Sequence, residues 1–187
     1  MPDPPRPLVG VGVIIHDHAG NIIMGERAGS HGAGTYQLPG GHLEHGESFA
    51  TTAAREVLEE TGLTIGNIKF LTATNDVFDE GKHYVTVFVT GEILGEERVP
   101  KPMEPHKCAK WEWVPWSQMW EWAGEQAEAK ETGRKLFLPL VNLWKEYPEM
   151  KDALVGRFKK DGILERCSYG ITTLNRDTLL SKVSIVH

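Results

Sequence analysis

The first apolar run, Leu8-Val-Gly-Val-Gly-Val-Ile-Ile, is β-branched and is followed by the turn-forming segment Asp17-His-Ala-Gly-Asn21. It predicts a strand over 8–16, a turn in which Gly20 takes a positive φ, and a partner strand over 22–27 that closes a hairpin. Residues 28–34 hold three glycines and a serine and read as a surface loop. A short strand over 35–39 stops at Pro39, and Gly40-Gly41 opens another loop. The pattern then changes to a helical one. Ser48 is placed as an N-cap, the helix runs to about Thr61, and Gly62 sits where a left-handed C-cap belongs. Strands follow over 68–77 and 84–94, joined at 79–82. Pro100, Pro102 and Pro105 make 96–107 a loop, and 108–116 alternates as another strand. Helices are expected over 117–131 and 135–146. Interleaved strands and helices that begin with a hairpin predict an α/β fold with a mixed sheet. One domain is expected over 1–147, with 148–187 as a C-terminal extension.

Composition narrows the class. Of 187 residues, 40% are apolar and 25% charged, within the usual range of a soluble globular chain. No run approaches the roughly 18 apolar residues of a membrane helix, so no membrane partner is expected. The proline-rich residues 1–7 lack an apolar signal core. Cys108 and Cys167 lie far apart and form no CxxC pair, so neither a disulfide framework nor a zinc site is expected, and a cytoplasmic, reducing location is the default. The net charge of −6 argues against gripping a nucleic acid backbone. A polyphosphate remains within reach if metal ions mediate the contact.

The chemistry is concentrated in the first helix. Glu56, Glu59 and Glu60 stand at i, i+3 and i+4 and project from one face. Ala50, Ala53, Ala54 and Val57 form a different face, suited to packing on a sheet. Three like charges on a stripe repel, and Thr52 and Leu63, the next residues along it, offer no compensation. A bound dication would supply it, and carboxylate oxygens suit Mg²⁺ or Mn²⁺ better than zinc. A solvated acidic face is the alternative. Around the helix, Gly40 and Gly41 let backbone approach a ligand closely, and Glu47 and Arg55, eight apart, can pair and brace the loop against the helix. A braced loop beside a carboxylate stripe describes a preorganised metal–pyrophosphate site.

The stretch from Gly41 to Leu63 resembles the Nudix box, Gly-x5-Glu-x7-Arg-Glu-(aliphatic)-x-Glu-Glu-x-Gly-(aliphatic), with every fixed position met by Gly41, Glu47, Arg55, Glu56, Val57, Glu59, Glu60, Gly62 and Leu63. The resemblance implies an α/β/α sandwich with a mixed sheet. It also implies a Mg²⁺- or Mn²⁺-dependent hydrolase acting on a nucleoside diphosphate linked to another group. By position, Glu56 and Glu60 are metal ligands, and Glu59 is a further ligand or the group that orients or deprotonates water. The Gly40 carbonyl is an additional ligand. Gly25-Glu-Arg27, the segment from Gly32 to Glu44, His83-Tyr-Val-Thr-Val87 and the segment from Glu104 to Trp116 are similar to small eukaryotic Nudix diphosphatases. One group of these takes purine nucleoside triphosphates, including oxidised forms such as 8-oxo-dGTP and thiolated ones, and a plant group takes geranyl diphosphate. A homodimer releasing a nucleoside monophosphate and pyrophosphate is implied. Pro102, His106 and His45 depart from that branch's pattern, which bears on substrate preference.

Residues outside the helix complete the expected site. Arg27 is placed to reach a phosphate, the alternative being a surface arginine. Gly41 and His42 lie in the loop beside the phosphates, where His42 donates a hydrogen bond or caps the loop. Glu104 approaches the metals from a neighbouring loop or is a solvated charge. Phe137 and Leu138 resemble the apolar part of the family's base pocket. The six tryptophans are expected in the core or at a subunit interface, with one available to stack on a base. Cys108 reads as a small buried hydrophobe. Geranyl diphosphate, a nucleotide sugar and a dinucleoside polyphosphate are rival substrates, and a non-catalytic ligand sensor is the rival of another class.

Overall fold

The computed structural model describes residues 6–152 except 30, 80 and 132. Expectations for Cys167 and for the extension beyond residue 152 lie outside the described residues. The elements are β1 (Leu8–Ile15), β2 (Asn21–Arg27), β3 (Tyr36–Gln37), β4 (Gly40–His42), α1 (Phe49–Thr61), β5 (Ile65–Val77), β6 (His83–Ile93), β7 (Cys108–Pro115), α2 (Trp116–Ala127) and α3 (Leu138–Glu146).

Two sheets form. One has the order β4-β1-β6-β5, with β1 parallel to β6 and antiparallel to β4, and β5 antiparallel to β6. The other has the order β3-β2-β7 and is antiparallel. The expected mixed sheet is present, but the expected hairpin is not. The turn itself forms: Asp17 Oδ1 accepts from the N–H groups of Ala19 and Asn21 at 2.9 and 2.8 Å. Beyond a single bridge between His16 and Ile22, however, β1 and β2 separate into different sheets. The reason is burial. Val11, Val13, Ile14 and Ile15 are all at most 2% exposed, so β1 is covered on both faces and takes a central place between β4 and β6.

Side-chain alternation along β1 and β2 divides the core into two layers. Ile14, Ile22 and Met24 join Phe88, Leu140 and the α2 residues Met119, Trp120 and Ala123. Val13, Ile15 and Ile23 join Val89 and the α1 residues Ala53 and Val57. Sheets lie between α1 on one side and α2 with α3 on the other, which is the α/β/α sandwich.

Helix α1 begins and ends as read. Ser48 Oγ accepts from the Thr51 N–H at 3.1 Å, and Gly62 takes φ 72° with its N–H donating to the Leu58 carbonyl. Ala53 and Val57 are buried, whereas Ala50 is exposed. Other boundaries shift. Gly40–His42 is a short strand rather than loop, and β5 starts at Ile65, with bulges after Gly66 and Phe70. Helix α2 stops at Ala127, two residues before Ala129 takes a positive φ of 55°. Helix α3 starts only at Leu138, with proline in its first turn. Trp116, expected in the strand, heads α2, and its indole N–H donates to the carbonyls of Met150 (3.2 Å) and Lys151 (3.0 Å). Met150 is buried in the α2/α3 layer, three residues past the expected boundary at 147.

Removing the helix cap should be felt in isolation from the rest. Ser48→Ala is expected to lower the free energy of unfolding by about 1 kcal/mol, measured by urea denaturation with an unchanged slope.

Candidate active site

The carboxylate face of α1 and the loop that precedes it are joined by one guanidinium. Arg55 donates from Nε to Glu47 Oε1 at 2.9 Å and from Nη2 to Glu47 Oε2 at 3.0 Å. It also donates from Nη1 to Glu56 at 2.7 Å and to Glu59 at 3.4 Å, and from Nη2 to the His42 carbonyl at 3.3 Å. The expected Glu47–Arg55 brace is therefore formed. The expectation that the glutamate stripe lacks compensation is corrected: Arg55, adjacent in sequence, reaches two of the three carboxylates. Glu47 also accepts from Thr52 Oγ1 at 2.7 Å. Arg55 first and Thr52 second hold its carboxyl at about 2, below its ordinary 4.5.

The three glutamates differ in setting. Glu59 is 55% exposed. Glu56 is half-buried against Arg55. Glu60 is 6% exposed and accepts from the Gly40 N–H at 2.9 Å. Burial, with the charges of Glu56 and Glu104 adding to it, pushes the Glu60 carboxyl up to about 8, against the Gly40 hydrogen bond. Above it, Met103 N and Trp111 Nε1 donate to the Glu60 carbonyl at 3.1 and 3.0 Å, so the 100–107 loop and β7 are tied to the end of α1.

At both glycines of β4 an added side chain would collide with a neighbour. At Gly40, φ is +147° and an added Cβ would lie 2.0 Å from the Val11 carbonyl oxygen. At Gly41 it would lie 2.2 Å from Glu56 Oε1. Backbone here runs directly against backbone on one side and against a carboxylate on the other.

Next to this end opens a cavity of about 420 Å³. Glu56, Glu60, Gly40, Gly41, His42, Arg27 and Phe137 all line it, so seven of the residues expected at the site meet there. Glu59 and Glu104 do not line it. Glu59 lies on the exposed side of α1, and Glu104 is paired with Lys107 at 2.8 Å. Arg27 is half-buried, stacks 4.2 Å over the Phe137 ring, donates from Nε to the His31 carbonyl at 2.8 Å and contacts Gln37. His42 shares a 3.1 Å hydrogen bond with the Tyr84 hydroxyl.

The sequence reading missed Phe78, Tyr84, Thr86, Phe88, Leu140 and Lys107, all in the cavity wall. Tyr84, Thr86 and Phe88 alternate along β6, so a period of two would have found them once that face was assigned to the site. Phe78 stacks against Phe137 with centroids 5.3 Å apart and meets Tyr84 edge-on at 5.8 Å. No tryptophan lines the cavity. Trp111, Trp116 and Trp120 are buried in the two core layers, and Trp122 and Trp144 pack against one of them. Leu138 faces a neighbouring cavity instead. Cys108 is 2% exposed, and burial pushes its thiol up to about 11, in keeping with an inert hydrophobe.

A family profile for the NUDIX domain matches residues 6–138. The chain belongs to the NUDIX family. Relatives of this NUDIX chain include a Danio rerio protein named oxidized purine nucleoside triphosphate hydrolase. It is 33% identical over 111 residues, covering 54% of this chain and 65% of that protein. A Dinoroseobacter shibae protein named RNA pyrophosphohydrolase is 39% identical over 66 residues, covering 35% of this chain and 41% of that one. The chain thus spans less than two thirds of either relative. Among solved structures, the MutT NUDIX hydrolase of Burkholderia pseudomallei aligns with a TM-score of 0.55 at 25% identity over 60% of this chain and 85% of that one. A MutT protein of Methanosarcina mazei Go1 shares the fold, with a TM-score of 0.57 at 21% identity over 79% and 98%.

Two outcomes test this geometry. Gly40→Ala should cost roughly 3 kcal/mol or more, because backbone must move. Gly41→Ala should cost about 1 kcal/mol or less, because only the tip of Glu56 is displaced. Urea denaturation of both variants gives the comparison. The second outcome concerns acid. A carboxyl depressed in the folded state stabilises above its unfolded value, and that contribution is lost as pH falls through the folded one. The stability that Glu47 adds should therefore be complete above about pH 4.5 and decline toward pH 2. Glu47→Gln should flatten that part of the stability–pH curve.

Proposed function

We propose that this NUDIX protein hydrolyses modified purine nucleoside triphosphates to the monophosphate and pyrophosphate, with Mg²⁺ or Mn²⁺ as cofactor. The observation that carries the reading is the cavity itself. Its lining joins two kinds of group: Glu56 and Glu60, which lie against the Gly40-Gly41 backbone, and the apolar Phe78, Phe137 and Leu140, of which the two rings are in contact. A nucleotide joins two matching kinds, charged phosphates and a flat apolar base. Likeness to the Danio rerio protein supports the choice of an oxidised purine. In the same reading the protein is a cytoplasmic homodimer. Among the described residues no helix is long and apolar enough to cross a membrane.

The donor set fits a hard divalent cation. Glu56, Glu59, Glu60, Glu104 and the Gly40 carbonyl offer only oxygen. Among the described residues no three acidic, histidine or cysteine side chains are already gathered as ligands; Glu56 is turned to Arg55 and Glu60 to the Gly40 N–H. Glu60, buried among other carboxylates, is the position a cation would relieve most. A cation held there by Glu60 and its neighbours would supply charge neutralisation for the phosphates and would acidify a water. Glu59, exposed beside the cavity, is assigned to orient or deprotonate that water. Arg55 keeps Glu56 and Glu59 in place while holding the loop through Glu47 and His42. Arg27, occupied by Phe137 and the His31 carbonyl, is assigned to shaping the base end rather than to holding phosphate alone. Phe78 and Phe137 supply stacking surface, and His42 with Tyr84 closes one wall.

The test is Mg²⁺-dependent hydrolysis of dGTP, 8-oxo-dGTP, a thio-dGTP, geranyl diphosphate, ADP-ribose and a 5′-triphosphorylated oligonucleotide, read by chromatographic separation of each substrate from its products. Preferential turnover of a modified guanine triphosphate is expected. Glu59→Gln should lower it on the order of 10²-fold or more while leaving the fold intact, and Glu56→Gln should raise the Mg²⁺ needed for half-maximal rate. Turnover of geranyl diphosphate, ADP-ribose or the oligonucleotide in place of the triphosphates would overturn the substrate assignment.

A further inference from the structure

The cavity wall holds a cation that the hydrolysis described above leaves without a task. Lys107 lines the cavity, and its Nζ lies 2.8 Å from Glu104 Oε1 and 2.9 Å from Oε2. The segment carrying this pair is anchored. Lys101 N donates to the Thr61 carbonyl at 2.9 Å and Met103 N to the Glu60 carbonyl at 3.1 Å, while the N–H groups of Lys107 and Cys108 both donate to the Glu104 carbonyl. The ion pair is therefore held over the C-terminal end of α1, where the charges of Lys107, Glu56 and Glu60 act on one another. The other cations near the site are more heavily engaged: Arg55 holds three carboxylates and a carbonyl, and the half-buried Arg27 stacks on Phe137 and donates to the His31 carbonyl. The Lys107 side chain is 57% exposed, and a pair that open to solvent parts at small cost.

We infer that Lys107 is the resident counter-ion of the carboxylate site: it holds Glu104 in competition with a divalent cation and, once displaced from Glu104, pairs with the substrate's phosphates in the same cavity. The inference rests on the metal-dependent reading above. It gives Lys107 two opposed effects. An ammonium beside Glu104 weakens cation uptake, both by occupying the carboxylate and by like-charge repulsion. The same ammonium strengthens binding of the polyanion that follows. A lysine suits this exchange, being a compact charge on a flexible stem rather than a planar fork fixed to one carboxylate.

Calorimetric titration of Mn²⁺ into the full-length protein tests the first effect, and titration of inorganic pyrophosphate at saturating Mn²⁺ tests the second. Lys107→Gln is expected to bind Mn²⁺ roughly two- to fivefold tighter than wild type and pyrophosphate weaker by a similar factor. Lys107→Arg, which keeps the charge, should stay near wild type in both, and Glu56→Gln should lose Mn²⁺ affinity. A structural role alone would not move the two affinities in opposite directions. Mn²⁺ affinity in Lys107→Gln equal to or below that of wild type, or unchanged pyrophosphate affinity, overturns the inference while leaving the metal reading standing. Wild-type protein that takes up no Mn²⁺ overturns both.

Discussion

Arg55 is the residue on which the charged half of this protein depends. A helix carrying Glu56, Glu59 and Glu60 on one side is electrostatically unfavourable by itself. Placing a glycine loop and a fourth carboxylate, Glu47, beside it would worsen matters without a cation in the middle. The guanidinium answers both needs because its donors are arranged as a planar fork. One edge takes Glu47 through two hydrogen bonds, another nitrogen takes Glu56, and a third contact reaches the His42 carbonyl of β4. The loop, the strand and the helix are thereby fixed to one another through a single side chain. A lysine could carry the charge but not the geometry.

The sheet arrangement puts that braced unit where it is useful. Strand β1 sits centrally between β4 and β6. Its carbonyl at Val11 comes so near Gly40 that no side chain fits between them. Helix α1 packs against one layer through Ala53 and Val57, so its glutamate side is turned toward the β4 glycines. From the opposite layer, α3 brings Leu140 and the residue that precedes it, Phe137, to the same opening, and the start of β6 brings Tyr84 and Thr86. Strands β1, β4 and β6, helix α1 and the first turn of α3 thus all contribute to the cavity lining.

How much of this was legible in sequence depended on whether the signal was local. The limits of α1 were readable because Ser48 and Gly62 act within one turn, and the Glu47–Arg55 pair followed from an eight-residue spacing that sets a residue just before the N-cap against the second turn of the helix. The separation of β1 from β2 was not, since a turn at 17–21 looks the same whether the strands continue together or part. What decides it is the burial of β1 on both faces, a property of the whole sheet. The same limit explains the missed wall residues. Tyr84, Thr86 and Phe88 alternate visibly, but which of the two faces meets α3 is set by the pairing of β1 with β6. The tryptophans, expected mainly in the core, do fill volume between sheet and helices, and the base-stacking role left open for one of them falls to none, because none lines the opening. Arg55 as partner to Glu56 was overlooked because residues adjacent in sequence diverge on a helix, and only a long side chain bends back to reach its neighbour; the Arg55–Glu59 contact is an ordinary i,i+4 pair that spacing alone could have supplied.

The close approach of Gly40 to Val11 has a wider consequence. One part of the cavity lining is defined by main chain, where any added atom collides, and by carboxylates that Arg55 fixes. The other part is defined by side chains drawn from three independent places, the β5–β6 turn, β6 and the start of α3. The first part tolerates almost no change, whereas the second can be altered one side chain at a time without disturbing a single backbone contact of the first. A molecule divided this way can drift in what it accepts while keeping what it does to it, so substrate range in such a scaffold is free to evolve separately from the chemistry.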